Sequence, residues 1–225
     1  PWNLIFITEN ITDFNMYYRG GCATFPLYLY PFDDRNERTP NLNKNIVTVF
    51  SEIINLSFTT EKQDNENSFS PIDILDYIYA VLYSNNYRTK YKEFLKVDFP
   101  RIPYPENKEQ FQKLVSIGSL LRNLHLMENV GPAMDTADFP VAGTNEIETV
   151  NYKEEKVYVN KHQYFENIAP EIWGYYIGGY QPAEKWLKDR KGRALSFEDI
   201  EHYQKIISVL KMTIELQTQI DEVVN

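Results

Sequence analysis

The chain of 225 residues is poor in the residue types on which disulfide-rich proteins and many enzymes depend. It has a single cysteine, Cys22, and only three histidines. One cysteine excludes an internal disulfide framework and is typical of a reducing compartment, so we expect a cytoplasmic protein. No run of about 18 apolar residues is present, so we expect no transmembrane helix. No secretion signal opens the chain, and it begins at Pro1 rather than at methionine, so we expect a fragment of a longer protein.

The motifs of nucleotide-dependent and metal-dependent enzymes are also missing. The sequence has neither the phosphate-binding pattern G-x-x-x-x-G-K-[ST] nor the dinucleotide pattern G-x-G-x-x-G. The histidines His125, His162 and His202 lie far apart, without the spacing of metal ligands. We therefore predict no metal site and no catalytic residue. A packing or capping role is the favoured interpretation of His125, and a buried thiol is that of Cys22.

The composition indicates a globular protein with an acidic surface. Hydrophobic residues make up 43% of the chain and aromatic residues 15%, with 17 tyrosines, which is enough to build a core. The formal net charge is −9. This charge argues against diffuse coating of DNA. It leaves a localised basic groove open, because electrostatic fields are local at physiological salt.

Hydrophobic periodicity and turn residues predict a mixed α+β fold with small antiparallel sheets and a long C-terminal helix. Strands are expected over 5–7 and 25–31, and a hairpin over 146–160 should turn Ile147, Val157 and Val159 inward. Helices are expected over 45–58, 70–83, 87–96, 108–127, 182–188 and 196–224, and a short helix or turn over 170–176. We predict one domain over 1–225, with a strand and helix lobe over 1–130 and a hairpin and C-terminal helix lobe over 131–225.

Two clusters of basic residues stand out against the acidic background. The more concentrated one has five cations within nine positions against one acid, Asp189; its members are Lys185, Lys188, Arg190, Lys191 and Arg193. The other has Arg88, Lys92 and Lys96 at helical spacing, where they would form one row. Either cluster fits a polyanion such as nucleic acid, and either fits a solvated surface. From charge alone, both interpretations stay open.

Several segments together resemble a known family. They are 25–30 (FPLYLY), 77–84 (YIYAVLYS), 87–96 (YRTKYKEFLK), 98–103 (DFPRIP), 176–180 (YIGGY) and 185–193 (KWLKDRKGR), followed by the helix from Ser196. They are similar to the C-terminal specificity region of single-chain type ISP restriction–modification enzymes and related adenine DNA methyltransferases. The resemblance covers most of the chain. It implies a target recognition domain that binds double-stranded DNA.

The same resemblance implies partners and cofactors outside this chain. In that family a methyltransferase, and often a nuclease and a motor, precede the specificity region on the same polypeptide. S-adenosylmethionine, and ATP with Mg²⁺, would serve those modules. The methyltransferase's Asn-Pro-Pro-Tyr-type motif does not occur here. The resemblance therefore assigns no catalytic residue to this chain, and no membrane partner is expected.

From the residue types we predict two sets of DNA contacts. Lys and Arg contacts to phosphate fix the register, whereas Arg, Asn and Gln can hydrogen-bond base edges. The predicted phosphate contacts are Lys185, Lys188, Arg190, Lys191, Arg193, Arg88, Lys92 and Lys96. The predicted base readers are Arg190, Arg193, Asn151, Gln163 and Gln181.

Two other functional classes remain open at this point. The final helix carries apolar residues on its opposite side, Ile206, Met212, Leu216 and Ile220, so it could dock on another chain as part of an interaction module. Burial of both sides inside one domain would argue against that hypothesis. A small enzyme with an unrecognised site is the third hypothesis, and a deep pocket with converging histidine and carboxylate groups would favour it.

Overall fold

A computed structural model describes residues 4–13, 15, 21–31, 37–128 and 137–224. The chain divides into two compact units, residues 1–126 with 217–225 and residues 127–216. The predicted α+β class is confirmed: the sheets are small, and the last helix is long. None of the helices in the described ranges is long and apolar enough to span a membrane.

The first unit is built on helices, with two minimal pairs of strands. β1 (Tyr28–Leu29) pairs antiparallel with β2 (Thr39–Pro40), and β3 (Ser57–Phe58) pairs parallel with β4 (Ser68–Phe69). The helices are α1 (Lys44–Ile54), α2 (Pro71–Tyr83), α3 (Asn85–Lys90) and α4 (Lys108–His125). The segment 4–8, expected to include a strand, forms none.

Helix α2 begins where its sequence predicts. The backbone N–H of Ser70 donates to the Asp73 carboxylate at 2.8 Å, and Pro71 occupies the first helical turn. In the core, helix α2 packs against helix α4. Gly118 of α4 lies so close to α2 that a Cβ there would sit 2.0 Å from the carbonyl oxygen of Asp76. Close packing of two helices therefore requires glycine at this position.

Aromatic rings fill the core of the first unit. Phe50, Tyr77 and Phe111 are buried and contact one another with ring centroids 5.6–6.0 Å apart. At the end of α4 the predicted packing role of His125 is confirmed, since its Nδ1 lies 2.8 Å from the hydroxyl of Tyr79. Burial lowers the pKa of His125 to about 4. The neutral imidazole is thus part of the structure.

The predicted helix over 87–96 is wrong in its extent. Helix α3 ends at Lys90, Tyr91 leaves the helical conformation, and a single 3₁₀ turn follows at Phe94–Lys96. This path buries Leu95 and lets the Tyr87 hydroxyl donate to the carbonyl of Arg101 at 3.0 Å. Tertiary contacts therefore override the local helical pattern.

The second unit packs a three-stranded antiparallel sheet against helices. The strands are β5 (Asn151–Lys153), β6 (Lys156–Tyr158) and β7 (Tyr164–Phe165), in that order. The helices are α5 (Pro170–Trp173), α6 (Pro182–Lys188) and α7 (Phe197–Asp221), whose last turns belong to the first unit. Ile147, Val157 and Val159 are buried in this core, which confirms the predicted hairpin orientation.

Helix α7 uses both of its sides for packing. A reciprocal cap starts it, because the amide of Ser196 donates to the Asp199 carboxylate and the amide of Asp199 donates to the Ser196 hydroxyl, both at 3.1 Å. On the side that could have docked elsewhere, Leu216 and Ile220 are buried. Ile206 packs against the core of the second unit, and Met212 is exposed. Three of the four apolar residues considered for docking are therefore covered within the protein, and Met212 is not.

Candidate nucleic-acid interface

The predicted basic segment lies in the second unit, on and after α6. Ala183 and Leu187 anchor one side of α6 in the core, where both are buried. Trp186 packs partly buried beside Tyr203, with ring centroids 5.5 Å apart. The other side of the helix carries Lys185 into solvent, and the chain continues into residues 188–193, which we call the basic loop.

The backbone of the basic loop is fixed to the core. The amide of Gly192 donates to the carbonyl of Ile147 at 2.8 Å, and the amide of Ile147 donates to the carbonyl of Arg193 at 3.0 Å. Gly192 has a φ of 79°, a conformation that favours glycine. Since Ile147 is fully buried, these two bonds tie the loop to the core of the second unit.

Segment 145–148 lies between the basic loop and the turn at residues 159–163. On its far side, the amide of Glu148 donates to the carbonyl of Val159 at 2.8 Å, and the side chain of Asn160 donates to the carbonyl of Glu146 at 3.1 Å. Three stretches, 143–148, 159–163 and 190–195, therefore run side by side. We call them the three-segment edge. It is continuous with the β5–β6–β7 sheet through β6.

The cations of the basic segment differ in how they are paired. Lys191 and Arg193 are exposed, and neither has a carboxylate partner in the described part of the chain. Lys185 pairs with Asp189 at 2.6 Å, and Lys188 pairs with Glu184 at 2.9 Å. Both pairs lie on the surface, where such bridges stabilise by only about 0–1 kcal/mol. A phosphate could therefore replace either carboxylate at low cost.

Arg190 has a different environment. Its guanidinium carbon lies 3.6 Å from the ring centre of Trp186, and Nη1 donates to the carbonyl of Trp186 at 3.2 Å. Its Nε also lies 3.6 Å from the carboxylate of Asp199. These contacts hold the side chain on the protein, so Arg190 supports the loop more readily than it reaches a base.

The predicted base readers differ in their exposure and in their hydrogen bonding. Gln163 is only 2% exposed and its amide is fully hydrogen-bonded within the protein, so it is unable to reach a base edge without rearrangement. Gln181 is partly buried and donates to the carbonyl of Trp173 at 3.2 Å. Asn151 is exposed on β5, and Arg193 is exposed on the three-segment edge. Of the predicted readers, Arg193 alone combines exposure with a place on that edge.

The first basic cluster does not form the predicted row. With α3 ending at Lys90, Arg88, Lys92 and Lys96 do not share one helix. Arg88 donates to the carbonyl of Leu82 at 2.6 Å, and Lys96 pairs with Glu93 at 2.6 Å. Lys92 is exposed and forms no salt bridge among the described residues, although, together with the hydrogen bond from Lys96, its charge helps to lower the pKa of Glu93. The cluster therefore offers phosphate one unpaired cation rather than a line of three.

Sequence patterns missed several residues of the three-segment edge. Lys161 and His162 are exposed in the turn between β6 and β7, and Thr144 is exposed in the stretch before Ile147. Glu146 and Glu148 are also exposed and bring negative charge close to the cations. The turn residues 160–162 between two hydrophobic segments were the only available signal in the sequence, and such turns are common on any surface.

The enzyme hypothesis depends on whether the described residues contain a metal-binding group or a pocket that could hold a catalytic site. Among them, no group of three or more His, Cys, Asp or Glu side chains could hold a metal ion. A cavity of about 170 Å³ lies in the first unit among Tyr77, Tyr87 and Tyr104. Its lining contains no histidine, so the condition set for the enzyme hypothesis is not met there.

Comparison with known proteins gives a family and a fold. A family model described as "Type ISP C-terminal specificity domain" matches residues 1–219. No curated protein matches the chain significantly.

Three solved structures have a similar fold. The enzyme LlaBIII, described as an ATP-dependent Type ISP restriction–modification enzyme bound to DNA, matches 95% of this chain at 20% identity with a TM-score of 0.65. A complex of DrdV with DNA matches 88% at 22% identity with a TM-score of 0.61. A nuclease-deletion mutant of the Type ISP enzyme LlaGI, with a DNA substrate mimic, matches 70% at 22% identity with a TM-score of 0.53. The matched regions cover 14%, 21% and 14% of those chains, so this chain corresponds to a small part of each.

Proposed function

Because this chain belongs to the family of Type ISP C-terminal specificity domains, we propose that it binds double-stranded DNA and recognises a defined base sequence. The observation that carries the proposal is the basic loop, whose backbone is fixed to the core and whose Lys191 and Arg193 are exposed, with no carboxylate partner among the residues that the structure describes. The DNA complexes of similarly folded enzymes support it.

The basic loop supplies the contacts that set position. Lysine and arginine bound to phosphate fix the register of a protein on the duplex without carrying sequence information. Lys191 and Arg193 can bind phosphate directly, and Lys188 can do so by releasing Glu184. We propose Lys185, Arg88, Lys92 and Lys96 only as secondary contacts, because all but Lys92 are engaged within the protein.

The acidic remainder of the protein favours selectivity. With a net charge of −9, most of the surface repels a polyanion, so binding away from the basic loop is weakened. Glu146 and Glu148 reduce the local positive potential further. Sequence recognition then depends on contacts to base edges, each of which discriminates by roughly 1–3 kcal/mol.

We propose that the complete protein is an adenine-N6 DNA methyltransferase of a restriction–modification system. Such an enzyme must extrude its target base from the duplex, and a separate element must hold the duplex and recognise the neighbouring bases. This chain would be that element, working with methyltransferase and motor modules of the same polypeptide. S-adenosylmethionine, and ATP with Mg²⁺, would be cofactors of those modules. No catalytic role is assigned to a residue of this chain.

Selection from a pool of randomised duplexes tests the proposal. The protein should enrich one consensus sequence, and no enrichment would contradict sequence recognition. Replacing Lys188, Lys191 and Arg193 by alanine should lower duplex affinity on the order of 100-fold in 0.1 M salt, since each phosphate contact releases about one counterion.

A matched control removes the same charge elsewhere. Lys44, Lys113 and Lys211 are exposed and have no carboxylate partner among the described residues. Their triple alanine variant should keep nearly the full affinity. Equal losses in the two triple variants would show that net charge, rather than the basic loop, drives binding.

A further inference from the structure

A buried amide organises the stretch that precedes Ile147. The side chain of Gln163 is 2% exposed. Its Oε1 accepts from the backbone amide of Asn145 at 2.8 Å and from Nδ2 of Asn160 at 3.0 Å. Its Nε2 donates to the carbonyl of Val141 at 2.9 Å and to Oδ1 of Asn145 at 2.8 Å. All four hydrogen-bonding positions of the amide are therefore used.

The stretch 141–145 wraps closely around this amide. A Cβ on Gly143 would lie 2.6 Å from Cδ of Gln163, closer than real side-chain contacts allow. No helix or strand includes these residues, and their path is fixed by the hydrogen bonds of Val141 and Asn145 to Gln163 and by those of Asn145 to the backbone of Leu195. A polar network that is fully satisfied holds one conformation strongly. The stretch is thus an irregular but well-defined segment.

The segment presents short side chains to solvent next to the basic loop. Ala142, Gly143, Thr144 and Glu146 are exposed. The carbonyl of Asn145 accepts from the amide of Leu195 at 2.9 Å, and Glu146 pairs with Ala194 in an antiparallel bridge. Residues 142–146 therefore run beside Arg193, at the place where phosphate contacts would bring the duplex.

The chemistry of this segment suits contact with base edges. Small residues allow a backbone to approach a groove closely, a threonine hydroxyl can donate or accept, and a glutamate can accept from the amino group of cytosine. A segment that is already ordered also avoids the entropy cost of ordering on binding.

We infer that residues 142–146 are the base-reading segment of this domain, and that Gln163 is a positioning residue that holds the segment in its binding conformation. This inference rests on the proposed function and deepens it. In this inference Thr144 and Glu146, rather than Gln163, contact the base edges. Gln163 holds the segment through its hydrogen bonds to Asn145 and its close contact with Gly143.

A pair of glycine substitutions isolates the positioning effect. Gly143→Ala pushes the segment away from Gln163 without changing charge or removing a hydrogen-bonding group. Gly179→Ala is the matched control, because a Cβ there meets no atom within 4 Å and its φ is not positive. Thr144→Ala and Glu146→Gln then remove one candidate reading group each. All four variants keep Lys188, Lys191 and Arg193.

Selection from randomised duplexes and binding to one non-consensus duplex are measured for each variant. Gly143→Ala should lower the preference for the wild-type consensus by roughly tenfold, the discrimination of one good base contact, while non-consensus affinity changes less than twofold. Thr144→Ala or Glu146→Gln should relax one position of the consensus. Gly179→Ala should match the wild type in both measurements.

The outcomes separate the inference from the proposed function. If the wild type enriches a consensus and the Gly143, Thr144 and Glu146 variants enrich the same one with equal stringency, the inference is wrong and the proposed function stands. Equal losses of consensus and non-consensus binding in Gly143→Ala would also overturn it, because they would indicate a merely structural role. A wild type that enriches no sequence would contradict both.

Discussion

The two basic clusters are alike in sequence and differ in what their cations contact. In the first unit, Arg88 donates to a backbone carbonyl and Lys96 pairs with Glu93, so the charges serve local structure. In the second unit, Lys191 and Arg193 face solvent from a loop whose backbone is fixed by Ile147. The density of charge in a sequence therefore does not tell which cations the fold leaves available to a polyanion.

The largest effect on stability is expected for Arg122 of the first unit, whose carboxylate partner Asp76 is buried. Arg122 donates from Nε to the Asp76 carboxylate at 2.7 Å, and Asp76 is only 4% exposed on its side chain. Burial raises the pKa of Asp76 although Arg122 opposes the shift. Arg122→Ala should lower the free energy of unfolding by about 3–5 kcal/mol, because it leaves a buried carboxylate unpaired.

Urea unfolding measures that loss, with Lys188→Ala as the control. The Lys188–Glu184 bridge lies on the surface, so its loss should cost less than about 1 kcal/mol. Similar costs for the two variants would mean that burial does not distinguish the cations of the two units.

Acidification should weaken the first unit through His125. Its pKa is lowered to about 4 in the folded protein, below the usual value near 6.5, so the unfolded state binds the additional proton between these pH values. Stability should therefore fall as the pH drops through this window, by about 2 kcal/mol between pH 7 and pH 5.

Urea unfolding of the wild type and of His125→Gln at both pH values checks this expectation. Glutamine does not titrate, so the difference between pH 7 and pH 5 should shrink by about 2 kcal/mol in the variant. An unchanged difference would show that His125 is protonated in the folded state or lies open to solvent.

Local signals predicted much of the fold. The caps at Ser70 and Ser196, the proline at position 71 and the inward side of the 146–160 hairpin depend on residues close in sequence, and all appear in the structure. The helix over 87–96 was wrong because the packing of Leu95 and the bond from Tyr87 to Arg101 decide its path. Such contacts are not visible in the local pattern.

A DNA-binding role of the basic segment stays a prediction, and the structure shows only how its residues are placed and paired. A dense basic run located the basic loop, but charge does not tell which cations are paired. Gln163 looked like a base reader because glutamine is a common one. Its partners Asn145 and Val141 lie 18 and 22 residues away, and only the fold brings them together. The role of a polar residue therefore depended on contacts distant in sequence.

The salt dependence of duplex binding tests the central claim most directly. Two double variants each remove two positive charges, Lys191→Ala with Arg193→Ala in the basic loop and Lys92→Ala with Lys96→Ala in the first cluster. The plot of log affinity against log salt concentration should lose about 1.8 in slope for the basic-loop variant, since each phosphate contact contributes about 0.9. The slope should fall by less than about 0.9 for the other variant, because Lys96 is paired with Glu93 and Lys92 is only a secondary contact. An equal or larger loss in the Lys92 and Lys96 variant would contradict the account.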